Sequence, residues 1–230
     1  MATRPPSPQR RNQVLSREQI IETAIELLDA GGESALTTRA LTQRLSTGSG
    51  AVYYRVGGRD ELLDAATETI VTAALAAGPV QASSSPEDEI RTVALALFDA
   101  IAEHQWLATR LTLQVVRKPF APVAVGIFER IGRQVGALGV PQTAWFDAAS
   151  TLVHFILGAV SRNARIEGDT PTAEPDRAQF LDATAAAWQD LDPEDYPFMR
   201  AIVGQMNEHD DREQFLTGIA VVLDGLTRLG

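Results

Sequence analysis

Cysteine is absent from this 230-residue chain. That absence removes disulfides, thiolate metal sites and cysteine nucleophiles together, and it fits a cytoplasmic protein. Long apolar runs are missing as well. The best, Leu152–Val160, contains His154 and falls well short of the roughly 18 residues that span a bilayer, so no membrane partner is expected. The first residues carry arginine and proline with no apolar stretch behind them, which is not the pattern of a secretory signal. The three histidines, His104, His154 and His209, lie far apart and show no metal-ligand spacing. No G-x-S-x-G elbow, Walker loop or dinucleotide fingerprint occurs. Glu208-His209-Asp210-Asp211 reads as an acidic helix start. No catalytic residue, metal or cofactor is expected, and catalysis would need a helical site that leaves no motif.

Apolar residues make up 45% of the chain, enough for a sizeable core in one large or two modest domains. The net charge is −10, but it is unevenly spread. Residues 1–65 balance eight arginines against eight acids, so residues 66–230 carry the whole excess. Residues 1–17 hold Arg4, Arg10, Arg11 and Arg17 and no acid. Phosphates respond to local positive charge, and charge beyond about 8–10 Å is screened. The distribution permits a nucleic-acid partner although the chain as a whole is acidic.

Every strong periodicity is helical, and no alternating strand pattern occurs. Residues 1–15, with three prolines and scattered arginine, read as a mobile basic arm. A helix starts at Ser16, where Ser16 and Gln19 can form a capping box, and ends at Gly31-Gly32. A longer helix runs from Gly58 to about Ala77, with Asp60 and Glu61 in its first turn. Gly78-Pro79 and the Ser83–Ser85 cluster mark a boundary, dividing a domain over 16–78 from one over 79–230. Ser85-Pro86-Glu87-Asp88 caps the next helix. Others are expected at about 106–117, 122–138, 141–166, 175–190, 193–205 and 211–228, with prolines at or near several starts. Glu167–Glu174 reads as a mobile loop.

The segment from Thr37 to Leu63 carries the most chemistry. Thr37 can cap a short helix, with Leu36 and Leu41 as a hydrophobic staple around it. Leu41 and Leu45 share one face of that helix. Ser46-Thr47-Gly48 forms a tight turn, and its glycine can take the left-handed conformation such a corner needs. A second short helix, Ser49 to about Val56, buries Val52 and Val56 and presents Ser49, Gly50, Ala51, Tyr54 and Arg55. This is a helix-turn-helix, which places one helix in the major groove of DNA. Tyrosine hydroxyls bond phosphate, and arginine bonds phosphate or guanine. Taken alone, Val52–Val56 also suits an amphipathic core helix.

The residues Val52-Tyr53-Tyr54-Arg55-Val56, followed by Gly58-Arg59-Asp60-Glu61-Leu62-Leu63, match the signature of the TetR family of bacterial transcriptional regulators. The resemblance runs from about Arg17 to Ile70. It differs from the family's common pattern at Ser46-Thr47-Gly48, Arg55 and Thr42. It implies phosphate contacts from Thr37, Thr38, Tyr53 and Arg55, base contacts from Tyr54 and residues 49–51, and a backbone contact from Arg59. Arg17, at the junction of arm and first helix, and Arg39 join this set; Arg4, Arg10 and Arg11 suit either a groove-reaching arm or a solubilising terminus.

In the acidic body, two late helices are candidates for a dimer interface. One offers Phe155, Gly158 and Ala159; the other offers Phe215, Gly218, Ile219, Val222 and Leu226. Paired across a two-fold axis they make a four-helix bundle, as the resemblance also implies; the same helices could instead close a monomer core. The resemblance further implies a small-molecule cavity among the middle helices. Candidates to line it are Phe98, Trp106, Leu113, Phe128, Trp145, His154 and Trp188, each of which also suits ordinary core. The expectation is an all-α protein: a three-helix N-terminal DNA-binding domain and a larger helical domain for effector binding and dimerisation. Its function would be that of a homodimeric repressor, released from a double-stranded palindromic operator by a small apolar or amphipathic effector. The alternative is a helical enzyme or ligand-binding module whose motif no longer binds DNA.

Overall fold

The structure, a computed structural model, describes residues 15–77, 85–162, 177–205 and 210–229. Residues 1–14 of the basic arm, the Gly78-Pro79 boundary, the 167–174 loop and Pro175 lie outside the described residues. Every element within them is helical. By packing, the chain divides into Met1–Thr67 and Glu68–Gly230, a division that falls inside a helix.

In the first unit, α1 (Arg17–Ala35) opens with the expected capping box. The Ser16 hydroxyl accepts from the Gln19 N–H at 3.1 Å, and Gln19 Oε1 accepts from the Ser16 N–H at 2.9 Å. Glu18, in the first turn, has its carboxyl held below the usual range by a backbone N–H and then by Ser16. Ile20, Ile21, Ala24, Leu27 and Leu28 form the buried face. Gly31 and Gly32 leave the helical conformation as expected, and one further turn follows to Ala35. Next come α2 (Thr38–Arg44), α3 (Ser49–Val56) and α4 (Arg59–Ala77). α2 and α3 pack on α1 and on each other, and Leu36, Leu41, Val52, Val56, Leu62 and Leu63 complete the core. Each fully buried Leu, Ile or Val contributes about 1.5–3 kcal/mol. Helices as short as α2 and α3 depend on that packing, since isolated helices under about 12–15 residues are marginal.

The second unit begins within α4. There the Arg130 guanidinium donates to the Leu75 carbonyl. α5 (Pro86–Glu103) starts as expected: Ser85 Oγ accepts from the Asp88 N–H at 3.1 Å, and Pro86 occupies the first turn. The Asp88 carboxyl lies below its usual range because of hydrogen bonding to Ser85, with Arg91 adding to it. α6 (Leu107–Arg117), α7 (Pro122–Ala137), α8 (Trp145–Arg162), α9 (Arg177–Gln189), α10 (Pro197–Ile202) and α11 (Asp211–Leu226) follow. α8 is the central element and packs on α5, α6, α7 and α11. The segment Gln142–Ser161 is long and apolar enough to cross a membrane, yet 44% of it is buried inside the protein. Ala148, Ala149, Leu152, Val153, Ile156, Leu157 and Val160 are among its buried residues.

Two helix starts differ from expectation. The segment from 141 begins with a single 3-10 turn, Gln142–Ala144, before α8. The helix expected from Pro193 starts at Pro197 instead, because Asp192 Oδ1 accepts from the Glu194 N–H at 2.8 Å and closes a separate turn.

Candidate nucleic-acid interface

Thr37 caps α2, and its hydroxyl accepts from the Ala40 N–H at 3.1 Å. The turn after α2 is built differently from expectation. Its left-handed residue is Ser46, with φ of 50°, while Gly48 is extended and caps α3. The Thr47 N–H bonds the Thr42 carbonyl at 3.1 Å and the Ser46 N–H bonds the Gln43 carbonyl at 3.3 Å. This is a Schellman closure, which requires its left-handed residue directly after the helix cap, two positions before the glycine. At the far end of α3, Gly57 has φ of 82°, and the Gly58 N–H bonds Glu61 Oε2 at 2.9 Å to open α4.

α3 buries Val52 and Val56, as their spacing requires, and so turns its other face outward. Tyr54 is 91% exposed. Ser49, Gly50, Ala51 and Arg55 are exposed beside it, and a β-carbon on Gly50 would meet nothing within 4 Å. Tyr53 is half-buried, and its hydroxyl lies 2.8 Å from Thr38 Oγ1. Thr37, Thr38 and Arg39 are exposed at the start of α2, and Arg17 is exposed at the start of α1.

Arg59 is exposed too, but its guanidinium is engaged. It donates to the Glu33 carbonyl at 2.7 Å and the Leu36 carbonyl at 3.4 Å, and lies 3.6 Å from the Glu33 carboxylate. It ties α4 to the corner between α1 and α2. Arg44, on α2, pairs with Glu26 of α1 at 2.7 Å.

The residues expected around a cavity in the second unit lie on several helices. Trp106 is buried at the start of α6, while Leu113, Phe128 and Trp188 are half-buried on α6, α7 and α9. Trp145 closes the corner between α7 and α8: its Nε1 donates to the Val140 carbonyl at 2.7 Å, and its ring lies over Gly136. His154, expected in the interior, is exposed. It sits on the outward stripe of α8 with Asp147, Thr151 and Gly158, opposite the buried leucines and isoleucine.

Phe98 stacks on Phe215 with ring centroids 5.0 Å apart, and Phe215 stacks on Phe155 at 6.0 Å. Phe155, Ala159, Phe215 and Gly218, all candidates for dimer contact, line a groove of about 310 Å³ between α8 and α11, with Asp211, Gln214 and Thr217 along it. Ile219 and Leu226 are buried, Val222 is half-buried, and Gly158 is exposed.

A family model described as bacterial regulatory proteins, tetR family, matches residues 20–66. A second, described as the tetracyclin repressor-like C-terminal domain, matches residues 81–229. The chain belongs to the TetR family. A solved structure of a TetR transcriptional regulator from Streptomyces coelicolor is similar over 94% of this chain and 99% of its own, at 52% identity and a TM-score of 0.83. An HTH-type transcriptional regulator of Saccharopolyspora erythraea is 27% identical over 69% of this chain; the chain spans 65% of that relative's length. The class D tetracycline repressor protein of Escherichia coli is 27% identical over 92% of this chain and 88% of its own.

Proposed function

We propose that this chain is a transcriptional repressor that acts as a homodimer, reads a pseudo-palindromic operator through α3, and leaves it when a small apolar or amphipathic effector binds the second unit. The observation that carries the reading is the division of α3 into two faces: Val52 and Val56 are buried, while Tyr54 stands 91% exposed. An aromatic ring left in water on an eight-residue helix serves no core, but it suits sugar, thymine methyl and base edges. Arg55 and residues 49–51 share its face, and Thr37, Thr38, Arg39, Tyr53 and Arg17 supply phosphate donors around it. Gly48 provides no side-chain cap, so the first turn of α3 presents its positive dipole end to a phosphate.

The face of α8 and α11 supports the dimer in this reading. Phe146 on α8 is 77% exposed and Val221 on α11 67% exposed in the protomer, and Gly158 of α8 and Gly225 of α11 are exposed as well. Exposed apolar side chains on helices that also expose glycine suit close packing against a second copy. Two-fold pairing then sets two α3 helices at half-sites about 34–36 Å apart or a multiple of that. The tetracycline repressor to which the chain is similar is named for a small molecule, and release by an effector is the corresponding step here. The effector favours a state whose two α3 helices no longer match adjacent grooves, and its differential affinity sets the response.

Selection of fragmented genomic DNA by the purified protein at near-physiological salt tests this. Enrichment of a palindrome supports the reading; a folded dimer that enriches nothing, with and without candidate effectors, refutes it.

A further inference from the structure

Among the described residues, one buried side chain carries a polar atom without a hydrogen-bond partner: Gln114, whose Oε1 accepts nothing. Gln114 is 6% exposed. An unmade buried acceptor is destabilising, and interiors rarely keep one without a use. A methionine or leucine would fill similar volume at no such cost.

The placement of Gln114 is specific. It continues the inward stripe of α6 formed by Leu107, Ala108 and Leu111. α6 packs on α5, α7 and α8, and the Thr112 hydroxyl meets Ser161 of α8 at 3.3 Å. Gln114 occupies the last turn of α6, whose backbone carbonyl is already taken by the Lys118 N–H at 2.8 Å. Directly beyond it the chain bends, and α6 and α7 diverge at 85°. The carbonyl oxygen of the side chain is thus held in an apolar interior, at the point where two helices part.

We infer that Gln114 anchors the effector, and that the effector is an apolar molecule carrying a hydroxyl or N–H donor. This rests on the reading above that the second unit binds a small molecule. A donor on the ligand satisfies Oε1, whereas an analogue lacking it leaves the acceptor unpaired, which is how a buried polar group rejects near-isosteres. A resident water on Oε1 would satisfy it equally and forecasts the opposite results.

The test uses the full chain and matched aryl alcohols and their methyl ethers, of one to three rings, with binding read by calorimetry. The expected result is that at least one alcohol binds the parent tenfold or more tighter than its ether. Gln114→Met then binds both alike and melts higher than the parent without ligand. Gln114→Leu repeats the comparison should methionine disturb the core. Equal affinity of alcohol and ether for the parent, binding of no pair, or discrimination retained in both variants overturns the assignment. So does a lowered melting temperature in both, which marks Gln114 as satisfied and structural. Operator selection on the same preparation separates the two readings. Discrimination without an enriched operator removes the repressor and keeps the anchor; an enriched operator without discrimination does the reverse.

Discussion

The hydroxyls of Thr38 and Tyr53 lie 2.8 Å apart and join the first turn of α2 to the middle of α3. Both residues are expected to meet phosphate, so the bond also fixes the spacing of two phosphate ligands before DNA arrives. Pre-ordering of this kind lowers the entropy lost on binding. Replacing Tyr53 with Phe and Thr38 with Val, singly and together, should show a coupling of about 0.5–1.5 kcal/mol in denaturant unfolding. Both singles should also weaken operator binding. Additive stabilities would mean that the bond contributes nothing in solution.

The exposed residues separate by what they touch. Tyr54 and Arg55 have no core role, so Tyr54→Ala and Arg55→Ala should leave stability within about 0.5 kcal/mol of the parent. Each should cost about 1–3 kcal/mol of operator affinity if it reads a base. Arg59→Ala should do something else. Its bonds to the Glu33 and Leu36 carbonyls bind α4 to the α1–α2 corner, so stability should fall by about 1 kcal/mol. Unfolding and fluorescence anisotropy of labelled operator, measured on the three variants, distinguish the two behaviours. A stable Arg59→Ala protein would refute the structural role.

Much of the first unit was legible because its signals are local. Ser16 with Gln19, Thr37 as a cap, and Val52 with Val56 each need only a few residues to be read. The turn departs from expectation for an equally local reason: Gly48 is the obvious left-handed residue, but the hydrogen bonds to Thr42 and Gln43 place that conformation at Ser46. In the second unit the deciding facts are distant in sequence. Phe98, Phe155 and Phe215 stack although they belong to three separated helices. α8 is apolar around much of its circumference, so which face carried His154 depended on the packing of α5, α6, α7 and α11. Gln114 had a usable signal, since it stands three and seven residues from Leu111 and Leu107 and shares their face. A polar residue near a helix end ordinarily reads as solvated, which hid it.

The two turns that flank α3 make opposite forecasts for glycine. Ser46 adopts a left-handed conformation that costs a non-glycine residue about 1–2 kcal/mol, partly offset by the greater unfolded-state freedom of glycine. Ser46→Gly should therefore stabilise the protein by about 0.5–1 kcal/mol. Gly57 combines φ of 82° with ψ of −137°, and a β-carbon there would come within 3.1 Å of Glu61 Cγ. Gly57→Ala should destabilise by about 1–3 kcal/mol and displace the end of α3. Thermal unfolding of both variants settles the signs. A destabilised Ser46→Gly protein would show that the serine hydroxyl, and not its backbone, matters at that corner.

On the face of α8 and α11, packing within the protomer and packing between copies can be separated by two substitutions. A β-carbon on Gly218 would run into Phe155 Cζ and come within 2.7 Å of its Cε2, so the ring must shift and disturb its stack on Phe215. Gly218→Ala should cost about 1–3 kcal/mol as overpacking, and trimming the ring in Gly218→Ala/Phe155→Leu should recover part of it. Val221 points away from the protomer core, 67% exposed, so Val221→Glu should leave a dilute monomer folded. In a dimer joined through this face, however, it buries two unpaired carboxylates, each costing several kcal/mol, and the assembly should dissociate. Sedimentation of the two variants beside the parent reads the difference directly. If Val221→Glu sediments as the parent does, the two copies meet elsewhere, and the exposed glycines of α8 and α11 serve some other contact.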